Sequence, residues 1–98
     1  MLFAVFFEDN ADKSDMRARF MSDHLAFLTS NGDQIEAAGP MKDAETGMPA
    51  GGLWLVRAEQ ASQVRTLVEA DPFWPTGLRK SVRILEWTQV FTDGRPAG

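Results

Sequence analysis

The chain has 98 residues, of which 44% are hydrophobic and 24% charged, and its formal net charge is −4 from 14 acidic and 10 basic residues. This composition is typical of one folded domain and excludes a disordered chain. The charges are interspersed without a basic stripe, so nucleic acid is not expected as a partner, and the absence of cysteine excludes disulfides and thiolate catalysis.

The N-terminal segment Leu2–Phe7 is an unbroken run of hydrophobic and aromatic residues. Its length and composition predict a strand that is buried on both faces or lies at the centre of a sheet. The run is too short to span a membrane, and it lacks the cationic start and cleavage site of a signal peptide. We therefore expect a cytoplasmic protein without a membrane partner.

A polar break over residues 8–12 separates this strand from a predicted helix. Apolar residues recur at steps of three and four from Met16 to Leu28, and Asn31 and Gly32 supply the left-handed residue that ends the helix. The only histidine of the chain lies within this helix, at position 24. The periodicity puts His24 on the apolar face together with Phe20, Phe27 and Leu28.

Two strands and a loop are predicted next. Residues 33–40 form a weaker strand, which ends at Gly39 and Pro40 because proline cannot donate a ladder hydrogen bond. Residues 41–52 are rich in glycine, proline and charged residues, a pattern typical of a loop between antiparallel strands. Residues 53–56 form the third strand, and the glycine pair that opens it, Gly51 and Gly52, allows a backbone or a ligand to approach closely.

The C-terminal part predicts a second helix and a last strand. The helix covers about residues 60–70, with Ala61, Val64, Leu67 and Val68 on its apolar stripe, and Asp71–Pro72 ends it. The strand covers residues 81–91, which alternate in character along their length. We expect one domain over residues 1–93 and a flexible tail over residues 94–98.

The order strand, helix, strand, strand, helix, strand predicts an α+β protein of the ferredoxin-like βαββαβ type. Such a fold has a four-stranded antiparallel sheet with two helices on one face. The other face stays uncovered, and a chain with seven Phe and three Trp residues is expected to cover it with a second copy. The predicted assembly is a homodimer that forms a dimeric α/β barrel.

His24 and Asp71 are the candidate catalytic residues. Histidine can move a proton near neutral pH, and a base of this kind needs a carboxylate that orients it and stabilises its cationic form. Asp71 lies before Pro72 and among aromatic residues, where a partly desolvated carboxylate favours a cationic partner. The alternative is that His24 is a packing residue and that Asp71 belongs only to a turn.

Other residues could surround a substrate. Gly39 and Pro40 could form the rim of a pocket, and the segment after Asp71 could wall it with Pro72, Phe73 and Trp74. The basic residues Arg17, Arg19, Arg79 and Lys80 could hold a carboxylate or phenolate, although solvated surface charge is the commoner role for such residues. The scattered carboxylates match no calcium loop and one histidine is poor transition-metal chemistry, so no metal is expected. No nucleotide or flavin motif is present, and no cofactor is expected.

The order and spacing of several short motifs resemble those of the YciI-like proteins, also called YCII-related domains. They are an aromatic-rich first strand, a helix with His24-Leu25, then Ala38-Gly39-Pro40, a glycine-opened strand and Ala70-Asp71-Pro72-Phe73. The resemblance implies a dimeric α/β barrel with a histidine and an aspartate in its active site, which correspond here to His24 and Asp71.

The resemblance implies chemistry on small rings. One described member of the family is a dehydrochlorinase that acts on a chlorinated hydroxyquinol, and related barrels include muconolactone isomerases. We therefore expect a cofactor-independent lyase or isomerase that binds a small cyclic or aromatic molecule and uses His24 and Asp71. A non-catalytic module that binds a small molecule or only dimerises is the alternative, and a cofactorless monooxygenase is a further one.

Overall fold

An antiparallel sheet of four strands forms the frame of the computed structural model, which describes residues 1–98. Its strands are β1 (Leu2–Asp9), β2 (Ile35–Lys42), β3 (Pro49–Arg57) and β4 (Arg79–Glu86). They lie in the order β2-β3-β1-β4, so the aromatic first strand is hydrogen-bonded on both sides, as predicted. The α+β class and the ferredoxin-like strand order are confirmed.

Three helices accompany the sheet: α1 (Asp15–Arg19), α2 (Met21–Ser30) and α3 (Ala61–Ala70). The sequence predicts one helix where α1 and α2 lie, but the helix is interrupted at Phe20, whose φ of −108° and ψ of 11° are not helical. Within α2 only His24 is buried, whereas Leu25 is 53% exposed. The apolar pattern therefore identified the correct face but included a leucine that faces solvent.

Helix α3 follows its predicted course. A capping box at its start joins Gln60 and Gln63, each side chain accepting a hydrogen bond from the backbone of the other. Of the predicted stripe, Val64, Leu67 and Val68 are buried, whereas Ala61, in the first turn, is exposed. This stripe packs on the face of the sheet that carries the buried residues Phe3, Val5, Phe7, Trp54 and Val56.

The connection between β2 and β3 is shorter than expected, because the two strands continue to the pair Lys42 and Pro49. Pro40 lies on the edge strand β2, where its missing N–H is tolerated. The turn itself is held by Asp43, whose side chain accepts hydrogen bonds from the backbone N–H groups of Glu45 and Thr46 at 2.9 Å each. The hydrogen bonds from Thr46 and Glu45 lower the pKa of this carboxyl.

The last long strand ends at Glu86, five residues before the predicted end. Glu86 pairs with Phe3, and the N–H of Trp87 bonds to the carbonyl of Leu2, the first residue of β1. Beyond this point β1 has no further residues with which β4 could pair. The chain then forms a small hairpin from β5 (Phe91–Thr92) and β6 (Arg95–Pro96).

The face of the sheet opposite the helices carries apolar side chains that no element of this chain covers. A groove of about 300 Å³ runs across it, and Phe6, Leu85 and Trp87 are each 39% to 44% exposed there. None of the helices is long and apolar enough to cross a membrane.

The glycine pair at the start of β3 provides a test of the fold. Gly51 has a φ of +84°, and a Cβ atom on it would lie 1.8 Å from the carbonyl oxygen of Phe7. We expect Gly51→Ala to lower the free energy of unfolding by more than about 1 kcal/mol, because both the backbone conformation and the contact become strained. Gly39→Ala is the control, since that Cβ would meet nothing within 4 Å. Urea denaturation that gave equal losses for both variants would contradict this account.

Candidate functional site

His24 and Asp71 are in direct contact. The Nδ1 atom of His24 lies 2.8 Å from Oδ1 of Asp71, and the two side chains are 7% and 2% exposed. His24 comes from the middle of α2, and Asp71 is the residue that ends α3. The turn after α3 orients the Asp71 carboxylate, because the same Oδ1 also accepts a hydrogen bond from the backbone N–H of Phe73 at 3.2 Å. The structure thus brings together two residues that are 47 positions apart in the sequence.

Aromatic side chains hold the imidazole ring in place. The ring of Phe73 is stacked on it, with centroids 4.1 Å apart and an angle of 16° between the planes. The ring centroid of Trp54, on β3, lies 6.3 Å from that of His24, and the Trp54 ring is packed edge-on against Phe7. Because Phe73 and Trp54 are almost completely buried, the ring of His24 has little freedom to turn.

The contact between His24 and Asp71 continues into a longer series of charged side chains. Oδ2 of Asp71 lies 4.0 Å from Nη2 of Arg79, whose Nη1 donates to Oδ1 of Asp9 at 3.0 Å. Oδ2 of Asp9 accepts from Nη2 of Arg17 at 2.5 Å. We call the series Arg17, Asp9, Arg79, Asp71 and His24 the charge chain. It links the end of β1, both N-terminal helices, the end of α3 and the start of β4.

Arg79 is the most enclosed cation of the charge chain, with a side chain that is 3% exposed. Its guanidinium carbon lies 4.0 Å from the ring centroid of Phe7 and 5.4 Å from that of Phe73. Burial lowers the pKa of the Arg79 guanidinium from its ordinary value, and the hydrogen bond to Asp9 opposes this effect. The space for the guanidinium exists because residue 52 is glycine, where a Cβ would lie 3.3 Å from Nη1.

A small cavity of about 80 Å³ lies beside the charge chain, between α2 and the edge of the sheet. Three members of the charge chain line the cavity: Arg17, His24 and Arg79. Nε2 of His24 makes no hydrogen bond within the chain and is not enclosed, so it is free to meet a molecule in the cavity. The remaining lining residues are Met21, Leu25, Leu28, Ala38, Gly39, Pro40 and Trp54.

The residues that the sequence suggested as substrate contacts separate into two groups. Gly39 and Pro40 line the cavity. Pro72, Phe73 and Trp74 do not line it. Phe73 is fully buried and contacts His24 itself, and Trp74 packs against the core.

The contact between Arg79 and Asp9 was not predicted from the sequence. Of the two roles that the sequence left open for Arg79, the solvated surface charge is wrong, since the side chain is 3% exposed. Asp9 and Arg79 are paired residues of the neighbouring strands β1 and β4, next to a register shift between Glu8 and Asp9. The predicted ferredoxin-like strand order already brings the end of β1 to the start of β4, so the topology contained the signal that could have paired them.

The site offers no cluster of metal ligands, because nowhere do three or more His, Cys, Asp or Glu side chains gather in a way that could hold an ion. The groups that the site does offer are an oriented imidazole, two guanidinium groups and two carboxylates. Such a set can transfer a proton and bind an anionic group.

Comparison with known proteins identifies the family. Residues 1–88 match the YCII-related domain. Among solved structures, the chain is similar to 5-chloro-2-hydroxyhydroquinone dehydrochlorinase from Burkholderia phenoliruptrix AC1100, determined in complex with 2,5-dihydroxybenzoquinone. The sequences are 29% identical, the TM-score is 0.78, and the alignment covers 90% of this chain and 94% of that chain. A search of curated proteins found no match. The family match spans most of the chain, which therefore belongs to the YCII-related domain family.

Proposed function

We propose that this protein is a cofactor-independent enzyme of the lyase or isomerase type, which moves a proton on a small cyclic or aromatic compound. The observation that carries the proposal is the contact of 2.8 Å between His24 Nδ1 and Asp71 Oδ1 beside a cavity. In this proposal His24 is the general acid and base, and Asp71 orients it.

The hydrogen bond assigns the roles of the two imidazole nitrogens. An ionised carboxylate can only accept hydrogen bonds, so with Asp71 ionised Nδ1 of His24 carries the hydrogen. Nε2 then has a free lone pair and is the atom that takes the proton from a substrate. The adjacent carboxylate stabilises the imidazolium that forms, and the stacked Phe73 ring restrains the orientation of the imidazole beside the cavity.

The similar dehydrochlorinase supports the reaction class. Loss of HCl from a chlorinated hydroxylated ring removes one proton and one chloride ion, and chloride leaves with the electron pair of the broken bond. No outside oxidant or reductant is needed. A positioned base in a largely apolar site is sufficient for the proton transfers, and such a base contributes typically 10² to 10⁴ in rate.

Substitution of the two residues tests this proposal. We expect His24→Gln and Asp71→Asn each to lower kcat by about 100-fold or more, because one removes the base and the other removes its negative partner. Asn at position 71 can still accept the Phe73 N–H, so the turn is retained. The measurement is turnover of 5-chloro-2-hydroxyhydroquinone and of muconolactone. Arg19→Gln is the control, since Arg19 lies on α1 outside the cavity.

The outcome separates the enzyme from its alternative. Folded variants that keep the wild-type rate would show that the assignment of His24 and Asp71 is wrong. Wild-type protein that binds members of the panel without converting any of them would favour the non-catalytic binding module.

We further propose that the uncovered sheet face packs against a second copy of the chain, so that the protein is a homodimer. The groove on this face is lined by Ala4, Phe6, Leu53, Leu55, Leu85, Glu86 and Trp87, of which only one is charged. A contiguous apolar face of this kind is unusual on a monomer. Two copies related by a two-fold axis would each cover the same surface of the other.

A lysine on this face tests the homodimer. We expect Leu85→Lys to reduce the mass in analytical ultracentrifugation from that of two chains to that of one chain of 10.9 kDa, because a charge would be buried between the sheets. Leu25→Lys is the control, since Leu25 is exposed on α2 at the opposite side of the sheet. A wild-type protein that sediments as a single chain would contradict the proposal.

A further inference from the structure

The guanidinium of Arg79 has donors that the protein does not use. Arginine has five N–H groups, and in this chain only Nη1 of Arg79 makes a hydrogen bond, to Asp9. The contact of Nη2 with Asp71 is 4.0 Å long, which is beyond hydrogen-bond distance. Nε is buried and has no partner, and it is the only such side-chain atom in the protein. Buried donors are almost always paired, so this one indicates a missing acceptor.

The local charges favour an anion as that acceptor. Two arginines, Arg17 and Arg79, share the single carboxylate of Asp9, and the remaining carboxylate of Asp71 is in contact with His24. Both carboxylates of the charge chain are thus already in contact with their partners, so an acceptor for the unused donors of Arg79 has to come from outside the charge chain. Arg79 and Arg17 both line the cavity, where an anionic group could reach them.

The guanidinium of Arg79 is also held in a fixed orientation by its neighbours. The ring of Phe7 covers it at 4.0 Å, and Asp9 fixes one of its ends. Its free donors therefore keep their direction, which lowers the entropy lost when a ligand binds. Arg17 completes the arrangement from α1, with a side chain that is 23% exposed.

The size of the cavity limits what can enter. Its 80 Å³ is equivalent to about two or three water molecules, whereas pockets for drug-sized ligands measure roughly 300 to 1,000 Å³. The lining beside the arginines is apolar and includes Trp54, Met21 and Leu28. The edge of a planar ring that carries one charged oxygen fits both the size and the polarity.

We propose that Arg79 and Arg17 form an oxyanion subsite, which binds an ionised oxygen on a planar ring substrate next to the imidazole of His24. This inference rests on the proposed function and names its substrate class. The oxygen is that of a phenolate, an enolate or a ring carboxylate. Its negative charge pairs with Arg17 and with the two donors of Arg79 that make no hydrogen bond, Nε and Nη2, which lie on the same edge of the guanidinium.

Binding of matched compounds to the full chain tests this proposal by calorimetry. The probes are 2,5-dihydroxybenzoquinone, which ionises in neutral water, its uncharged dimethyl ether and benzoate. We expect the dihydroxy compound to bind at least tenfold more tightly than the ether. Arg17→Gln and Arg79→Lys should each weaken binding of the anion by roughly tenfold or more and leave the ether unaffected. Tight binding of benzoate would assign the site to ring carboxylates.

Two controls keep the test independent of folding and of catalysis. Arg19→Gln removes a neighbouring arginine outside the cavity and should bind as the wild type does. If circular dichroism shows that Arg79→Lys is unfolded, Arg17→Gln decides the result. Arg17 is partly exposed, so its substitution is expected to leave the protein folded. His24→Gln should keep the preference for the anion even where it abolishes turnover, so loss of the proposed function and loss of the subsite give different patterns.

Equal affinity for the anion and the ether would overturn the oxyanion subsite. The same conclusion would follow if folded Arg17→Gln bound the anion as tightly as the wild type, or if the wild type bound none of the three probes.

Discussion

The burial of the Asp71 carboxylate is the constraint on which the site depends. This side chain is 2% exposed, and a carboxylate in such a position must have cationic or hydrogen-bonding partners to offset its lost hydration. His24 contacts one oxygen and Arg79 lies near the other, while the backbone N–H of Phe73 supplies a further donor. Each of these partners is buried in turn and needs its own compensation. The charge chain is the result, and it ends only at Arg17, which reaches solvent.

The charge chain also determines how the elements meet. Asp9 is the last residue of β1 and Arg79 is the first residue of β4, so their hydrogen bond joins the two strands at one end of the sheet. Asp71, at the end of α3, lies near the same end. The glycine pair of β3 is required at the same end. Gly51 lets the backbone approach the carbonyl of Phe7, and Gly52 leaves room for the Arg79 guanidinium. The glycine pair and the Asp9–Arg79 hydrogen bond thus lie at the same corner of the sheet. A substitution in the glycine pair would therefore also disturb the position of the Arg79 guanidinium.

The errors of sequence-based prediction have identifiable physical causes. The alternation of residues 81–91 continues beyond Glu86, but a strand needs a neighbour, and β1 begins at Leu2. The glycines at positions 51 and 52 indicated a loop, yet both lie inside β3, where Gly52 pairs with Phe7 of β1 and with Pro40 of β2. The helical period through residues 16–28 did not reveal the interruption at Phe20, because a single non-helical residue leaves the spacing of apolar side chains almost unchanged.

The amino-acid sequence by itself determined the class of the fold, the central position of β1, the extent of α3 and the choice of His24 and Asp71 as the residues of interest. These features depend on local periodicity, on capping and turn residues and on the presence of a single histidine, all of which can be read within a short window. Only the tertiary structure decided that Arg79 and Asp9 belong to the same site, that Phe73 supports the imidazole and does not line the cavity, and that one guanidinium nitrogen has no partner. These features depend on burial and on contacts between residues up to 70 positions apart, as for Asp9 and Arg79. Charge and aromatic character are visible in a sequence, but the solvent exposure that gives them their energetic effect arises only when the elements pack.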